Sequence, residues 1–153
     1  MQTAPLSAGP PEIPANTGHT FAITASSYKG CQECHPLPEM LTEFAQTVVS
    51  NQIQQVKAAL DLWATTKAPG ALTKYQARAW EYTTPGTLSI LPAGTTNVAP
   101  SSAEQALIPD NIKKARFNLY IVFHDGSYGV HNGRFATTLL TDAMTMIQQE
   151  MKK

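Results

Sequence analysis

From Glu39 to about Thr66, apolar side chains recur at steps of mostly three, four and five residues: Met40, Leu41, Phe44, Val48, Ile53, Val56, Leu60 and Trp63. That period brings them to one side of an α-helix. Gln46, Asn51, Gln52, Gln54 and Gln55 supply a neutral polar side. Pro36 and Pro38 stand just ahead, where a helix entry tolerates proline. Ala68-Pro69-Gly70 ends the run. A helix this long cannot bury its apolar side alone, so the rest of the chain must be read for partners.

Three further stretches supply them. Ala71 to about Tyr82 reads as a helical piece with Leu72, Tyr75, Ala79 and Tyr82 on one face, or as the first helix resumed after a break. Glu104 to about Phe123 reads as the next helix, with Pro109 and Asp110 as an alternative start. Its apolar side is Ile112, Ala115, Phe117, Leu119, Ile121, Val122 and Phe123. The run Tyr120-Ile121-Val122-Phe123 has strand propensity, but the segment's length favours helix. Asp125-Gly126-Ser127-Tyr128-Gly129 is a turn. A last helix covers roughly Gly133 to Lys152, with Phe135, Leu139, Leu140, Ala143, Met144, Ile147 and Met151 inward. The expected fold class is all-α, an antiparallel bundle of three to four helices.

Two segments resist this pattern. Residues 1–18 hold Pro5, Pro10, Pro11 and Pro14 among small polar residues and read as an extended arm. Residues 83–103 contain three prolines, two glycines and many Thr and Ser, and read as a long irregular loop on the surface or crossing between helices. Residues 19–153 are then one domain, as expected for 153 residues in total. Lys+Arg and Asp+Glu balance at 11 each, so no basic footprint points to nucleic acid. No apolar run is long enough to span a membrane. The first residues lack the basic start and apolar stretch of a signal peptide, as in a chain read from after cleavage or from inside a longer one.

The chemistry is concentrated in Cys31-Gln32-Glu33-Cys34-His35. These are the chain's two cysteines, and C-x-x-C-H is the attachment pattern of c-type haem. The spacing has a physical reason: two thiols reach the two vinyl groups on one porphyrin edge, and the next residue swings an imidazole under the iron. A redox dithiol would be expected near a βαβ pattern, which is absent. A zinc site would need two more ligands, with His19 and His131 as the candidates.

Thr17-Gly18-His19-Thr20-Phe21 precedes this motif. Ile108-Pro109-Asp110-Asn111-Ile112-Lys113-Lys114-Ala115-Arg116-Phe117-Asn118 leads into Asp125-Gly126-Ser127-Tyr128-Gly129-Val130-His131-Asn132. With the helix after Asn132, these segments resemble the C-terminal part of multihaem cytochromes c. That group includes pentahaem nitrite reductases, octahaem hydroxylamine and tetrathionate-type enzymes, and related electron-transfer cytochromes. The resemblance covers roughly residues 17–50 and 104–145. It implies a haem-binding segment followed by long antiparallel helices, with the histidine of the turn as a haem axial ligand. This chain has one haem motif, Gly133 where the family usually carries proline, and no C-x-x-C-K catalytic motif. An isolated chain of this kind is expected to transfer electrons rather than to be an enzyme.

His35 is the expected proximal ligand. For the distal position His131 comes first, at a helix start after a glycine-rich turn and at the family's ligand position. His19 comes second, either folded back on the same porphyrin or offered outward to a neighbouring haem. His124 beside Asp125, and Met40, Met144, Met146 or Met151, are further candidates. Phe21, Phe117, Tyr120, Phe123, Tyr128 and Phe135 are candidates to pack on the ring, and Lys113, Lys114 and Arg116 to pair with its propionates.

The expected function is electron transfer through one covalent haem c, as a carrier or as a relay module of a larger multihaem assembly. Its expected partner is a redox protein or a neighbouring haem-bearing subunit, with a homo-oligomer as an alternative. The competing readings are the C-terminal domain or a subunit of a multihaem reductase, and a haem-based gas or redox sensor. Covalent haem attachment implies a periplasmic or extracellular compartment.

Overall fold

The structure is a computed structural model that describes Tyr28, residues 32–89, Gly94 and residues 98–153. The expected arm at 1–18, His19, Phe21 and Cys31 lie outside the described residues. The described residues are helical, with three α-helices, two 3-10 helices and no strand: α1 (Pro38–Thr66), α2 (Asp110–Asp125) and α3 (Gly133–Met151).

Helix α1 begins at Pro38, whose missing N–H would have had no partner in the first turn. It ends where the N–H groups of Lys67 and Ala68 both donate to the Trp63 carbonyl and Pro69 forbids another turn. Helix α2 starts after Pro109 and stops at Gly126, which takes the left-handed conformation at φ 73°. The strand propensity of Tyr120–Phe123 is overridden: the segment is helical, with Leu119, Tyr120 and Val122 buried. The helix does not extend back to Glu104. Glu104–Leu107 is a separate 3-10 turn, and Ile108 is extended before Pro109.

The expected helix over Ala71–Tyr82 is a 3-10 helix, Gly70–Arg78, broken at Gln76 (φ 52°, ψ −132°). The break turns the chain so that Leu72, Tyr75, Ala79 and Trp80 all enter the core. Within residues 83–103, Leu88, Ala99 and Pro100 are buried, so the described parts of this loop run against the helices.

The three helices pack around Ile53, Leu60, Trp63, Ile112, Leu119, Leu140 and Ile147, each at most 2% exposed. Asn118 donates to the Leu139 carbonyl, and Asn111 donates to the Gln149 side chain, so α2 and α3 run antiparallel. Gly129 lies against Val49 and close to the Gly133 Cα at the start of α3, and Gln52, Gln55 and Val56 line one cleft with Leu140, Met144 and Gln148. Helices α1 and α3 therefore run parallel. Because α3 starts beside Val49, the eleven residues of α1 from Pro38 to Val48 project past it, by about 16 Å at 1.5 Å per residue.

Candidate functional site

Gln32, Glu33 and Cys34 form a turn immediately before α1, tied by the Gln32 N–H to the Tyr28 carbonyl (3.1 Å). Cys34 and His35 are both exposed, and Cys34 is a free thiol. The projecting part of α1 follows directly.

That part carries two different faces. Thr42, Val49, Ile53, Val56, Leu60 and Trp63 form the buried line. Leu37, Leu41, Phe44 and Val48 form a second line, roughly 120° round the helix at about 100° per residue. It is exposed: Leu37 55%, Leu41 47%, Phe44 69% and Val48 37%, with Met40 beside it at 57%. The sequence period merges these two faces into one. The structure separates them, so Met40, Leu41, Phe44 and Val48 are not core. Seven residues beyond Val48 the second line reaches Gln55, which faces α3. Below Val49 there is no α3 left to cover it. The result is an apolar ledge that begins next to Cys34 and His35 and ends at the turn carrying His131.

The turn is held in place by its glycines. Gly126 and Gly129 take φ of 73° and 85°, and Tyr128 takes φ 50°. Gly129 is buried against Val49. Asp125 accepts from the Ser127 N–H (3.4 Å) and from the Ser127 hydroxyl, closing the turn. Asp125 therefore does not orient the His124 ring, which instead stacks on Tyr120 with ring centroids 5.4 Å apart. His131 is exposed, one position before the Asn132 N-cap of α3. Phe135, expected inward, is 53% exposed, while Ala136 takes the core position.

Of the other candidates, Phe117 is exposed on α2, and Phe123 and Tyr128 pack against the core in an edge-to-face pair. Met144, Met146 and Met151 also pack against the core. Lys113 pairs with Asp110 within α2, and Lys114 is exposed. Arg116 is not a solvated cation available to a propionate. It is buried, donates to the Trp80 and Glu81 carbonyls (2.7 and 2.8 Å), and lies 3.9 Å over the Tyr82 ring. Tyr120 is likewise committed inside.

This interior network went unread in the sequence. Glu81, fully buried, accepts from Tyr120 Oη (2.9 and 3.0 Å) and from the Ser89 hydroxyl. Tyr120 Oη in turn accepts from the Gly86 N–H (3.1 Å). Burial raises the Glu81 carboxyl above the ordinary carboxylate range, against the pull of its donors and of Arg116. Burial and the Glu81 charge raise the Tyr120 phenol. The only sequence signal was a glutamate set between Trp80 and Tyr82.

Among the described residues no group of three or more His, Cys, Asp or Glu side chains gathers as a metal site. The chain matches no family profile, no curated protein and no solved structure.

Proposed function

We propose that the chain carries one haem c, joined through Cys31 and Cys34 and ligated on one side by His35. It would pass single electrons as a carrier or as a relay module of a larger multihaem assembly. The observation that carries this reading is the ledge of Leu37, Met40, Leu41, Phe44 and Val48. Five large apolar side chains left in water beside a C-x-x-C-H turn are costly unless something apolar covers them. A porphyrin tethered at that turn is of a size to do so, at roughly 25 cal/mol per Å² of apolar surface removed from water. The residues present fit the group at one end: a thiol, an imidazole and an apolar flank. The His131 turn stands at the far end of the ledge, about 16 Å along α1, so it can share an iron with His35 only when the Cys34–His35 turn folds toward it.

When bound, the haem iron supplies the one-electron couple. The chain's own residues hold and shield it. His35 would offer the proximal nitrogen and the ledge would exclude water from one flank; the proposed second ligand is His131, reached by folding of the Cys34–His35 turn toward α3, with His19 as the alternative. Two histidines would set a lower potential than a histidine and a methionine; Met144, Met146 and Met151 are taken up by core packing, which leaves Met40, exposed on the ledge, as the methionine candidate. No helix among the described residues is long and apolar enough to cross a membrane. Since covalent haem attachment takes place outside the cytoplasm, the proposed compartment is periplasmic or extracellular. The proposed partner is a redox protein or a neighbouring haem-bearing subunit.

The test is expression in a host with haem-attaching machinery, followed by haem staining after denaturing electrophoresis. The chain is expected to retain haem and the C31A/C34A double variant to lose it. A matured chain without retained haem would overturn the proposal.

A further inference from the structure

The side of α1 turned away from α3 borders a second feature. Between the later turns of α1, the 3-10 segment and the chain at Thr87–Ser89 lies an open cleft of about 480 Å³, lined by Lys57, Asp61, Arg78, Leu88, Ser89 and Phe123 among others. From Pro38 to Lys57 is 19 residues of helix, about 28 Å at 1.5 Å per residue, so the cleft is separate from the C-x-x-C-H turn.

Its hydrogen-bonding capacity is unevenly committed. Asp61 is spent: one oxygen accepts from Lys57 Nζ (2.6 Å) and the other from Trp80 Nε1 (2.8 Å). The Ser89 hydroxyl donates to buried Glu81. Arg78 is anchored by its Nε–H on the Val98 carbonyl (2.9 Å), and its two terminal nitrogens have no acceptor among the described residues. Lys57 uses one donor of three. What the cleft still offers is therefore cationic donors, over an apolar wall of Leu88 and Phe123.

We infer that this cleft binds a small monocarboxylate with an apolar body, its carboxylate on the free fork of Arg78 and near Lys57, its body against Leu88 and Phe123. An anchored guanidinium suits a carboxylate, which it can meet with two parallel bonds. Apolar walls with a few convergent polar groups are the usual make-up of a small-molecule site. The charge balance selects a single negative charge. Lys57 and Arg78 oppose Asp61 in the cleft, and Glu81 stands behind Ser89. A multiply charged phosphate or sulfate would meet too little positive charge and no use for the apolar wall.

The test is titration of the full chain with benzoate and hexanoate, followed by amide chemical shifts, with benzamide and sulfate as controls. Saturable binding is expected for the carboxylates, at least tenfold weaker for benzamide and for sulfate. Arg78→Gln should weaken benzoate at least tenfold. Lys57→Gln, which leaves the Arg78 anchor untouched, should weaken it severalfold should Arg78→Gln prove unstable. Arg134→Gln, exposed on the first turn of α3, should change nothing. Equal binding of benzamide or sulfate, unchanged affinity in Lys57→Gln or Arg78→Gln, or no saturation would overturn the inference.

Discussion

Gly129 lies flush against Val49: a methyl group built on this glycine would stand 2.6 Å from Val49 Cγ2 and 3.3 Å from the Gly133 Cα. The contact seats the His131 turn on α1, just where the projecting part of that helix begins. Gly129→Ala is therefore doubly penalised, by φ of 85° and by a clash with little room to relax. It is expected to cost about 2–4 kcal/mol in urea unfolding. Gly126→Ala shares the positive φ but has no atom within 4 Å of the added carbon. Its cost is expected near 1 kcal/mol. Equal costs at the two sites would show that the Val49 contact does not matter.

The ledge makes a prediction that separates folding from cofactor cover. Phe44 is 69% exposed, so Phe44→Ala should change the stability of the haem-free chain by less than about 0.5 kcal/mol. In the haem-loaded chain the same change should cost about 1–2 kcal/mol, because the ring would then be covered. Thermal unfolding of both forms measures the difference. The same small effect in both forms would mean that the haem does not lie on this face.

Arg116 serves the interior. Arg116→Met leaves the Trp80 carbonyl without its side-chain donor, leaves the Glu81 carbonyl with Gln105 Nε2 alone (2.9 Å), and removes a positive charge that acts on Glu81. A loss of about 3–4 kcal/mol is expected in denaturant unfolding. A near-neutral result would show that the network is replaceable by packing.

Glu81 gives the pH dependence. Its folded pKa is raised, so the native state holds a proton that the unfolded state releases between the ordinary value of 4.5 and the higher folded one. Its contribution is fully present below 4.5 and is lost as pH rises through the folded pKa. Above 4.5, Glu81→Gln should flatten the decline of stability with pH relative to the unaltered chain. Glu104 acts in the opposite sense. Lys74, Ser101 and Tyr75 hold its carboxyl below the usual range, so its contribution is present above 4.5 and is lost as pH falls from there through that lowered value. Parallel pH–stability curves for the Glu81→Gln and unaltered chains would contradict the assignment.

The sequence made the helices legible because their signals are local. Proline at the start of α1, Gly126 after α2 and the three-to-four spacing inside each helix depend on near neighbours alone. Inside and outside were less legible. Met40, Leu41, Phe44 and Val48 share the helical period of Ile53 and Leu60, and only the end of α3 beside Val49 decides which are covered. The kink at Gln76 and the burial of Arg116 also follow from distant parts of the chain. Arg116 reads as surface charge until Trp80 and Glu81, 36 and 35 positions earlier, are brought to it. Of the candidate site, Cys34, His35 and His131 are exposed. His19 and Cys31 lie outside the described residues.

The most direct measurement is an absorption spectrum with low-temperature EPR on chain matured in a haem-attaching host. The expected result is a covalently bound, low-spin, six-coordinate ferric haem that does not react with carbon monoxide once reduced. His131→Ala is expected to convert it to high spin. A high-spin, carbon monoxide-reactive haem in the unaltered chain, or no covalent haem at all, would contradict the proposal.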